Sequence, residues 1–319
     1  MRILFITSTR IGDAVLSTGL LRHIHETYPN ARVTIVCGPL PSSLFEGYPN
    51  LDDLIILKKE KNHKHWFKLW KKTVSTKWDM VIDFRNSIVS RTVLAKQRYI
   101  YGPSIDKNSH KVEQAAQLMR LNAVPAPKLW FTPEQMVIAK TFIPQGEKVL
   151  AVGPTANWIG KTWPAENFIE IIKWLTGEGG YLRGAKVAVF AAPGEEEGAY
   201  QVLQSVPVEN QINVIAKTDP GTAAAILSLC NFYIGNDSGL MHSAAASAVP
   251  TFGVFGPSYP HLYAPWGEKS CYTRTPQSFD ELIDYEGFSP KTLTDTLMRG
   301  LSVDMVKKAL ENNKTRLFD

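Results

Sequence analysis

Four groups of residues in this chain have the types and spacing to do chemistry. Asp13 closes the polar loop Ser8-Thr9-Arg10-Ile11-Gly12-Asp13, after an apolar run at residues 2–7. A carboxylate at the carboxyl end of a strand can serve as a general base. An acid in the first turn of a helix also stabilises the helix dipole, and spacing alone favours that second reading. Lys161 lies in the loop Gly153-Pro154-Thr155-Ala156-Asn157-Trp158-Ile159-Gly160-Lys161-Thr162-Trp163-Pro164. An ammonium there can neutralise a leaving diphosphate, with Thr155, Asn157 and Thr162 as further donors, or it is a surface lysine on a loop. Glu195, Glu196 and Glu197 follow Pro193-Gly194; they are first-turn acids, or one of them accepts from a ribose hydroxyl. The fourth group is the turn Asn236-Asp237-Ser238-Gly239, with His242 five residues after Asp237. Backbone N–H groups at such a helix start converge on one point and suit a phosphate. Asp237, itself an anion, fits better as a helix cap or as an acceptor for sugar hydroxyls. His242 either donates to a phosphate or packs.

These groups need elements to hold them. Apolar runs predict strands at 2–7, 32–37, 54–57, 79–84 and 98–101, with helices at 14–28, 41–47, 63–76, 87–95 and 109–121. Pro125, Pro127, Pro133 and Pro144 then punctuate the chain, and Pro144-Gln145-Gly146-Glu147 reads as a linker. A second series follows: strands at 148–152, 185–190, 212–215, 232–234 and 251–255, with helices at 165–176, 195–204, 222–229 and 240–248. After Gly267 the periodicity fades until an amphipathic helix at 302–312. Alternating strands and helices imply parallel sheets covered on both faces. The expected architecture is α/β: two doubly wound domains, 1–145 and 146–300, with a cleft between them. A terminal segment, 301–319, is placed to pack back on the first. Ligands belong at the carboxyl ends of the strands.

The 319 residues exceed what one hydrophobic core holds comfortably, and the net charge of +5 admits an anionic partner without naming one. No apolar run approaches the roughly 20 residues of a membrane span. Cys37, Cys230 and Cys271 are far apart, which predicts free thiols in a reducing cytoplasm and no zinc site. His23 with His25, and His63 with His65, are two apart and would point to different helix faces, so no metal is expected. G-x-G-x-x-G after the first strand, the P-loop, G-x-S-x-G and H-E-x-x-H are all missing, which argues against dinucleotide, P-loop, serine-hydrolase and zinc-protease chemistry. One helix stands apart: residues 58–77 carry eight lysines with Trp66, Phe67, Leu69 and Trp70. His63, Trp66 and Trp70 fall near one face. The stripe is core-facing beneath a solvated lysine face, or it meets anionic lipid headgroups. Nucleic acid is a weaker option, since no binding motif accompanies the charge.

Together these stretches resemble the ADP-heptose:lipopolysaccharide heptosyltransferases, glycosyltransferase family 9. Arg10-Ile11-Gly12-Asp13-Ala14-Val15-Leu16 is similar to that family's R-x-G-D-x-V/L-L opening, and Asp83-Phe84-Arg85-Asn86-Ser87 to its D-L-R/Q-G-S element, with Asn for Gly. Lys161-Thr162-Trp163-Pro164 looks like its K-x-W-P. Asn236-Asp237-Ser238-Gly239-Leu240-Met241-His242 looks like its D-T/S-G-x-x-H. Phe255-Gly256-Pro257-Ser258 and Pro265-Trp266-Gly267 match its F-G-P-T/S and P-W-G.

The resemblance implies a GT-B fold of two Rossmann-like domains and an inverting heptose transfer from ADP-heptose to the inner core of a lipopolysaccharide. No metal or other cofactor is implied. The first domain would take a lipid A/Kdo-type acceptor and the second the nucleotide sugar, in an enzyme at the cytoplasmic face of the inner membrane. Carried over, Asp13 becomes the base and Lys161 the group that steadies the leaving diphosphate. Thr155, Asn157, Asp237, Ser238, Gly239 and His242 would surround that diphosphate. Glu195 or Glu196 would hold the ribose and Thr218 would lie near the base, where relatives often carry an apolar residue. Arg10, Arg85, Lys64 and Lys68 would meet the acceptor. Two other readings remain at this stage: a GT-B transferase or epimerase using another nucleotide sugar such as a UDP-sugar, and an inactive nucleotide- or glycolipid-binding module.

Overall fold

A computed structural model describes residues 1–318. The chain divides into two compact units, Met1–Pro133 and Glu134–Asp319. The division falls ahead of the expected linker at residues 144–147, because the proline-rich stretch contains a helix, Pro133–Phe142, and only its first residue counts with the first unit. Pro133 opens that helix, where a missing N–H costs nothing.

In the first unit five strands, β1 (Arg2–Ile6), β2 (Arg32–Cys37), β3 (Leu51–Ile56), β4 (Trp78–Asp83) and β5 (Ala95–Ile100), form one parallel sheet in the order β3-β2-β1-β4-β5. The strands alternate between two cores, as a sheet covered on both faces requires. Ile3, Phe5, Val33, Ile35, Met80 and Ile82 pack on one side with Leu20, Leu21 and Ile24 of the helix Ile11–Thr27. Leu4, Ile6, Val36, Val81 and Ile55 pack on the other with Leu69 and Val89. The order reverses between β1 and β4, which leaves a crevice at their carboxyl ends.

In the second unit six strands, β6 (Val149–Gly153), β7 (Lys186–Val189), β8 (Gln211–Asn213), β9 (Phe232–Asn236), β10 (Thr251–Phe255) and β11 (Ser270–Arg274), run parallel in the order β11-β10-β9-β6-β7-β8. This is the same doubly wound pattern extended by one strand, and its reversal falls between β6 and β9. Leu150, Val152, Val187, Val189, Phe232, Ile234, Phe252 and Val254 share one core with Trp163 and Phe168.

The terminal segment corrects one expectation. Leu301, Val303, Val306, Leu310 and Leu317 are buried in that same core, so the helices Val303–Asn312 and Lys314–Phe318 complete the second unit rather than returning to the first. The lysine-rich helix spans Lys64–Thr73, and Trp66 and Trp70 pack against the core as the core-facing reading has it, without His63. His65, Leu69 and Thr73 are buried, Trp66 and Trp70 are half-buried, and His63 lies outside the helix, exposed, at φ 57. Cys37, Cys230 and Cys271 are free and buried. Burial pushes the Cys37 thiol up to about 12 and raises those of Cys230 and Cys271 as well. No helix among the described residues is long and apolar enough to cross a membrane, and none of their His, Cys, Asp and Glu side chains cluster in a group that could hold a metal ion.

Candidate active site

Each unit brings some of its candidate residues to the crevice where its strand order reverses. In the first, β1 runs into a tight turn. Arg10 N–H donates to Ser8 Oγ (3.1 Å), and Ser8 Oγ donates weakly to Asp13 Oδ2 (3.4 Å). Asp13 is half-buried in the first turn of Ile11–Thr27, with Arg10 exposed at the N-cap. The two earlier readings of Asp13 therefore do not exclude each other: the carboxylate sits at the positive helix end and at a strand's carboxyl end at once.

Across the reversal, β4 ends on Asp83, whose fully buried carboxylate accepts from Arg85 N–H, Ser87 N–H and Ser87 Oγ, each at 2.7 Å. Those three bonds fold the loop and turn exposed Arg85 outward over the Trp66 ring, 5.8 Å from its centroid. Asn86 adopts φ 50, a left-handed conformation that explains why Gly is the alternative residue there.

Sequence reading missed a cation in this unit. Lys111, at the start of the helix Lys111–Leu118, is half-buried and donates to Gln114 Oε1 at 3.0 Å. Gln114 is itself fixed by Tyr101 Oη (2.6 Å) and by the Lys107 and Ser109 carbonyls. Desolvation lowers the Lys111 ammonium below the usual lysine range, and the Asp13 carboxylate partly restores it. Nothing in the sequence pairs residues 98 positions apart, so no local signal could have found it. Lys64 and Lys68 project from the lysine-rich helix, exposed, and Lys68 pairs with Glu60 at 2.5 Å. Phe67 on that helix is 58% exposed, stacks on Trp70 with centroids 5.9 Å apart, and carries Lys71 Nζ 4.9 Å above its ring.

In the second unit the loop after β6 is anchored by Trp163. Its ring is fully buried beside Phe168, its indole N–H donates to Leu301 O (2.8 Å), and its backbone N–H donates to Asn236 Oδ1 (2.9 Å). The last bond ties the loop after β6 to the end of β9. It leaves the short 3-10 turn Ile159–Lys161 facing Asp237, and Lys161 Nζ donates to Asp237 Oδ2 at 2.6 Å. The lysine side chain is 27% exposed and the aspartate 6%. His242 Nε2 lies 3.9 Å from the other carboxylate oxygen.

This geometry revises the cap reading of Asp237. Ser238, not Asp237, occupies the N-cap of the helix Gly239–Ala246. The aspartate is turned to the lysine because a nearly buried carboxylate needs a counter-charge more than a helix end needs a cap. Nearby, Thr155 Oγ1 donates to Glu195 Oε2 (2.8 Å), joining the ends of β6 and β7. Glu195 stands at the N-cap of the helix Glu196–Gln204, and Glu196 Oε2 accepts from Gly194 N–H (2.8 Å). Asn157, exposed on its loop, and Thr218, half-buried beyond β8, are drawn into neither the Lys161 pair nor the Thr155 pair.

Chemically, the first crevice offers a carboxylate beside a constrained cation. The second offers an aimed ammonium, a nearly buried carboxylate and a helix N-terminus, with a further carboxylate one strand away. Comparison with known proteins places the chain among transferases. The chain is 27% identical to lipooligosaccharide heptosyltransferase 2 of Campylobacter jejuni over 289 residues, 85% of this chain and 86% of that protein. Among solved structures it superposes on a family 9 glycosyl transferase from Veillonella parvula with a TM-score of 0.77 (21% identity; 98% of this chain and 96% of that one). The E. coli ADP-heptose lps heptosyltransferase II superposes with a TM-score of 0.72 (20% identity, 98% of each chain). These structural likenesses show the fold, a GT-B pair of Rossmann-like units. The sequence model for glycosyltransferase family 9 (heptosyltransferase) matches residues 101–279, more than half the chain, and the protein therefore belongs to that family of transferases.

Proposed function

We propose that this enzyme transfers heptose, with inversion, from ADP-heptose to an inner-core sugar of a lipid A-linked acceptor. The observation that carries the reading is the Lys161–Asp237 pair at the reversal between β6 and β9. A lysine has three N–H donors, and Asp237 takes one. The pair thus aims the ammonium while two donors remain for a diphosphate. Asp237 is not a phosphate ligand in this scheme; it holds the group that is.

The reaction proceeds in one displacement. Asp13 Oδ takes the proton of the acceptor hydroxyl as its oxygen forms a bond to the anomeric carbon. The bond from that carbon to the diphosphate oxygen breaks on the opposite face, and the diphosphate leaves with the electron pair. Lys161 and the Ser238 and Gly239 amides meet its growing charge. Glu195, fixed by Thr155, accepts from a ribose hydroxyl, and Thr218 lies toward the base. Arg10, Arg85, Lys64 and Lys68 meet the acidic acceptor, and the exposed lysine-phenylalanine face of Lys64–Thr73 rests on anionic lipid. The Campylobacter relative's name, a lipooligosaccharide heptosyltransferase, supports the acceptor class.

The deciding experiment is transfer of labelled heptose from ADP-heptose to Kdo-bearing lipid A, run beside calorimetric titration with ADP, UDP and GDP. Transfer is expected, together with the tightest binding for ADP. A clear preference for UDP, with no transfer from ADP-heptose, would replace the donor.

A further inference from the structure

The sheet of the first unit ends at β5, and a cavity of about 490 Å³ lies against that edge strand. Loops beyond the carboxyl ends of β4 and β5 reach it through Asn86 and Ser104. Three arginines line it as well: Arg91 from the helix Val89–Thr92, Arg98 from β5, and Arg120 from the turn that ends Lys111–Leu118. None of the described residues that line it is an aspartate or a glutamate. None of the three arginines pairs with an acid among the described residues, whereas Arg22 and Arg32 of the same unit pair with Glu26 and Asp52. A concave surface holding three uncompensated guanidinium groups attracts an anion.

The partners that these arginines do have aim them. Arg98 donates to three neutral carbonyls: Nε to Ser90 O (3.0 Å), Nη1 to Ala95 O (3.0 Å) and Nη2 to Val93 O (2.7 Å). Its planar fork is thereby fixed, and two of its five N–H groups remain. Arg91 Nη2 donates to Asn86 Oδ1 at 2.7 Å. Asn86 and Arg120 both have left-handed backbones, at φ 50 and φ 56. They are two of the six non-glycine residues with positive φ among the described residues, and both line this one cavity. Arg120 N–H donates to Gln117 O and Leu121 N–H to Ala116 O (3.0 Å each), a helix end that usually takes glycine. Residues held in such backbones gather where ligands bind. Here arginine brings the cavity a cation that glycine would not.

We propose that this cavity is a binding site for a phosphate monoester carried on a sugar. Such an ester holds nearly two negative charges at neutral pH and three acceptor oxygens, which arginine forks match. The half-buried Tyr99 lines the remaining space, which takes the sugar. β5 lies two strands from β1, roughly 10 Å along the sheet. The ester therefore belongs either to a sugar of the acceptor beside the one at Asp13, or to a separate sugar phosphate. The site rests on the cavity alone; only the first source rests on the acceptor reading.

The test uses the full chain in ³¹P NMR titrations at low salt, with glucose 6-phosphate and with inorganic phosphate. Wild type should bind glucose 6-phosphate, and more tightly than inorganic phosphate. Arg91→Ala with Arg120→Gly should weaken that binding at least tenfold, the scale of one lost charged hydrogen bond. The Tm should stay level or rise, since glycine suits φ 56. Arg91→Glu, at an exposed position, should also weaken binding with the fold intact. Transfer to Kdo-bearing lipid A with and without its phosphate monoesters names the source. If the acceptor supplies the ester, the KM for the phosphorylated acceptor is about tenfold the lower of the two, and only in wild type. Equal KM values, with glucose 6-phosphate binding still lost in the variants, assign the site to a separate sugar phosphate. A wild type that does not bind glucose 6-phosphate, variants that bind it as wild type does, or affinity that falls only together with the Tm would each overturn the proposal. Failure of heptose transfer leaves the titrations standing and overturns the acceptor reading alone.

Discussion

Asp237 turns Lys161 from a loop lysine into an aimed donor, and its 2.6 Å contact is the reason a change at either residue should be felt at the donor. Lys161→Ala should lower kcat by roughly 10²–10³, the scale for losing one group that meets developing charge. Steady-state kinetics with saturating donor would read it, and a loss under about threefold would remove Lys161 from that role. Asp13 carries the other charge. Asp13→Asn keeps size and polarity but removes the proton acceptor, so transfer should fall by about 10³ or more while ADP affinity stays within twofold. Wild-type turnover in that variant would end its assignment as base. Both residues could be read from the sequence as candidates, because each follows a strand and precedes a helix. What could not be read was their company. Lys111 near Asp13, and Asp237 against Lys161, are set by tertiary packing that no local spacing encodes.

Among the elements, the strands near each crevice were legible because they are short, apolar and flanked by turn residues. β11 was not: its pattern runs from buried to half-exposed, and only a four-residue helix, Pro260–Tyr263, precedes it. The helix Pro133–Phe142 was hidden by the prolines around it, one of which starts it. Of the two readings of Asp237, cap or acceptor for sugar hydroxyls, the cap fails, because sequence shows which residues can cap, not which has a stronger competing partner. The lysine-rich helix was seen, and Trp66 and Trp70 of its stripe do pack on the core; what was not seen is that His65, Leu69 and Thr73 are the fully buried positions, which leaves Phe67 and its lysines exposed. Replacing Lys64, Lys68 and Lys71 by Glu should therefore leave the fold intact, since those side chains are exposed. It should abolish sedimentation with phosphatidylglycerol vesicles at low salt and raise the KM for a lipid-linked acceptor, with that for ADP-heptose unchanged. Equal sedimentation of the variant and the wild type would confine this helix to packing.

For the whole molecule, the chain repeats one plan. Two doubly wound sheets each reverse strand order, and each places its chemistry at that reversal. The plan was legible because alternating strands and helices admit few other solutions. The close of the chain was not, since an amphipathic helix says that it packs but not on what. Leu301, Val306, Leu310 and Leu317 answer that in the second core.

The three thiols distribute themselves across this plan, with Cys37 in the first unit and Cys230 and Cys271 in the second. Each is shut away and held in its protonated, unreactive form at neutral pH. Above about pH 9 an unfolded chain would ionise its thiols while folded Cys37 waits until about 12, so stability should decline over that window. At neutral pH the same property makes the cysteines three built-in stopwatches. An alkylating reagent can mark each one only when its surroundings open. ADP should slow the marking of Cys230 and Cys271 and leave that of Cys37 unaltered, as peptide mass spectrometry would show. The protein thus carries, without any engineering, separate clocks for how often each half of it breathes.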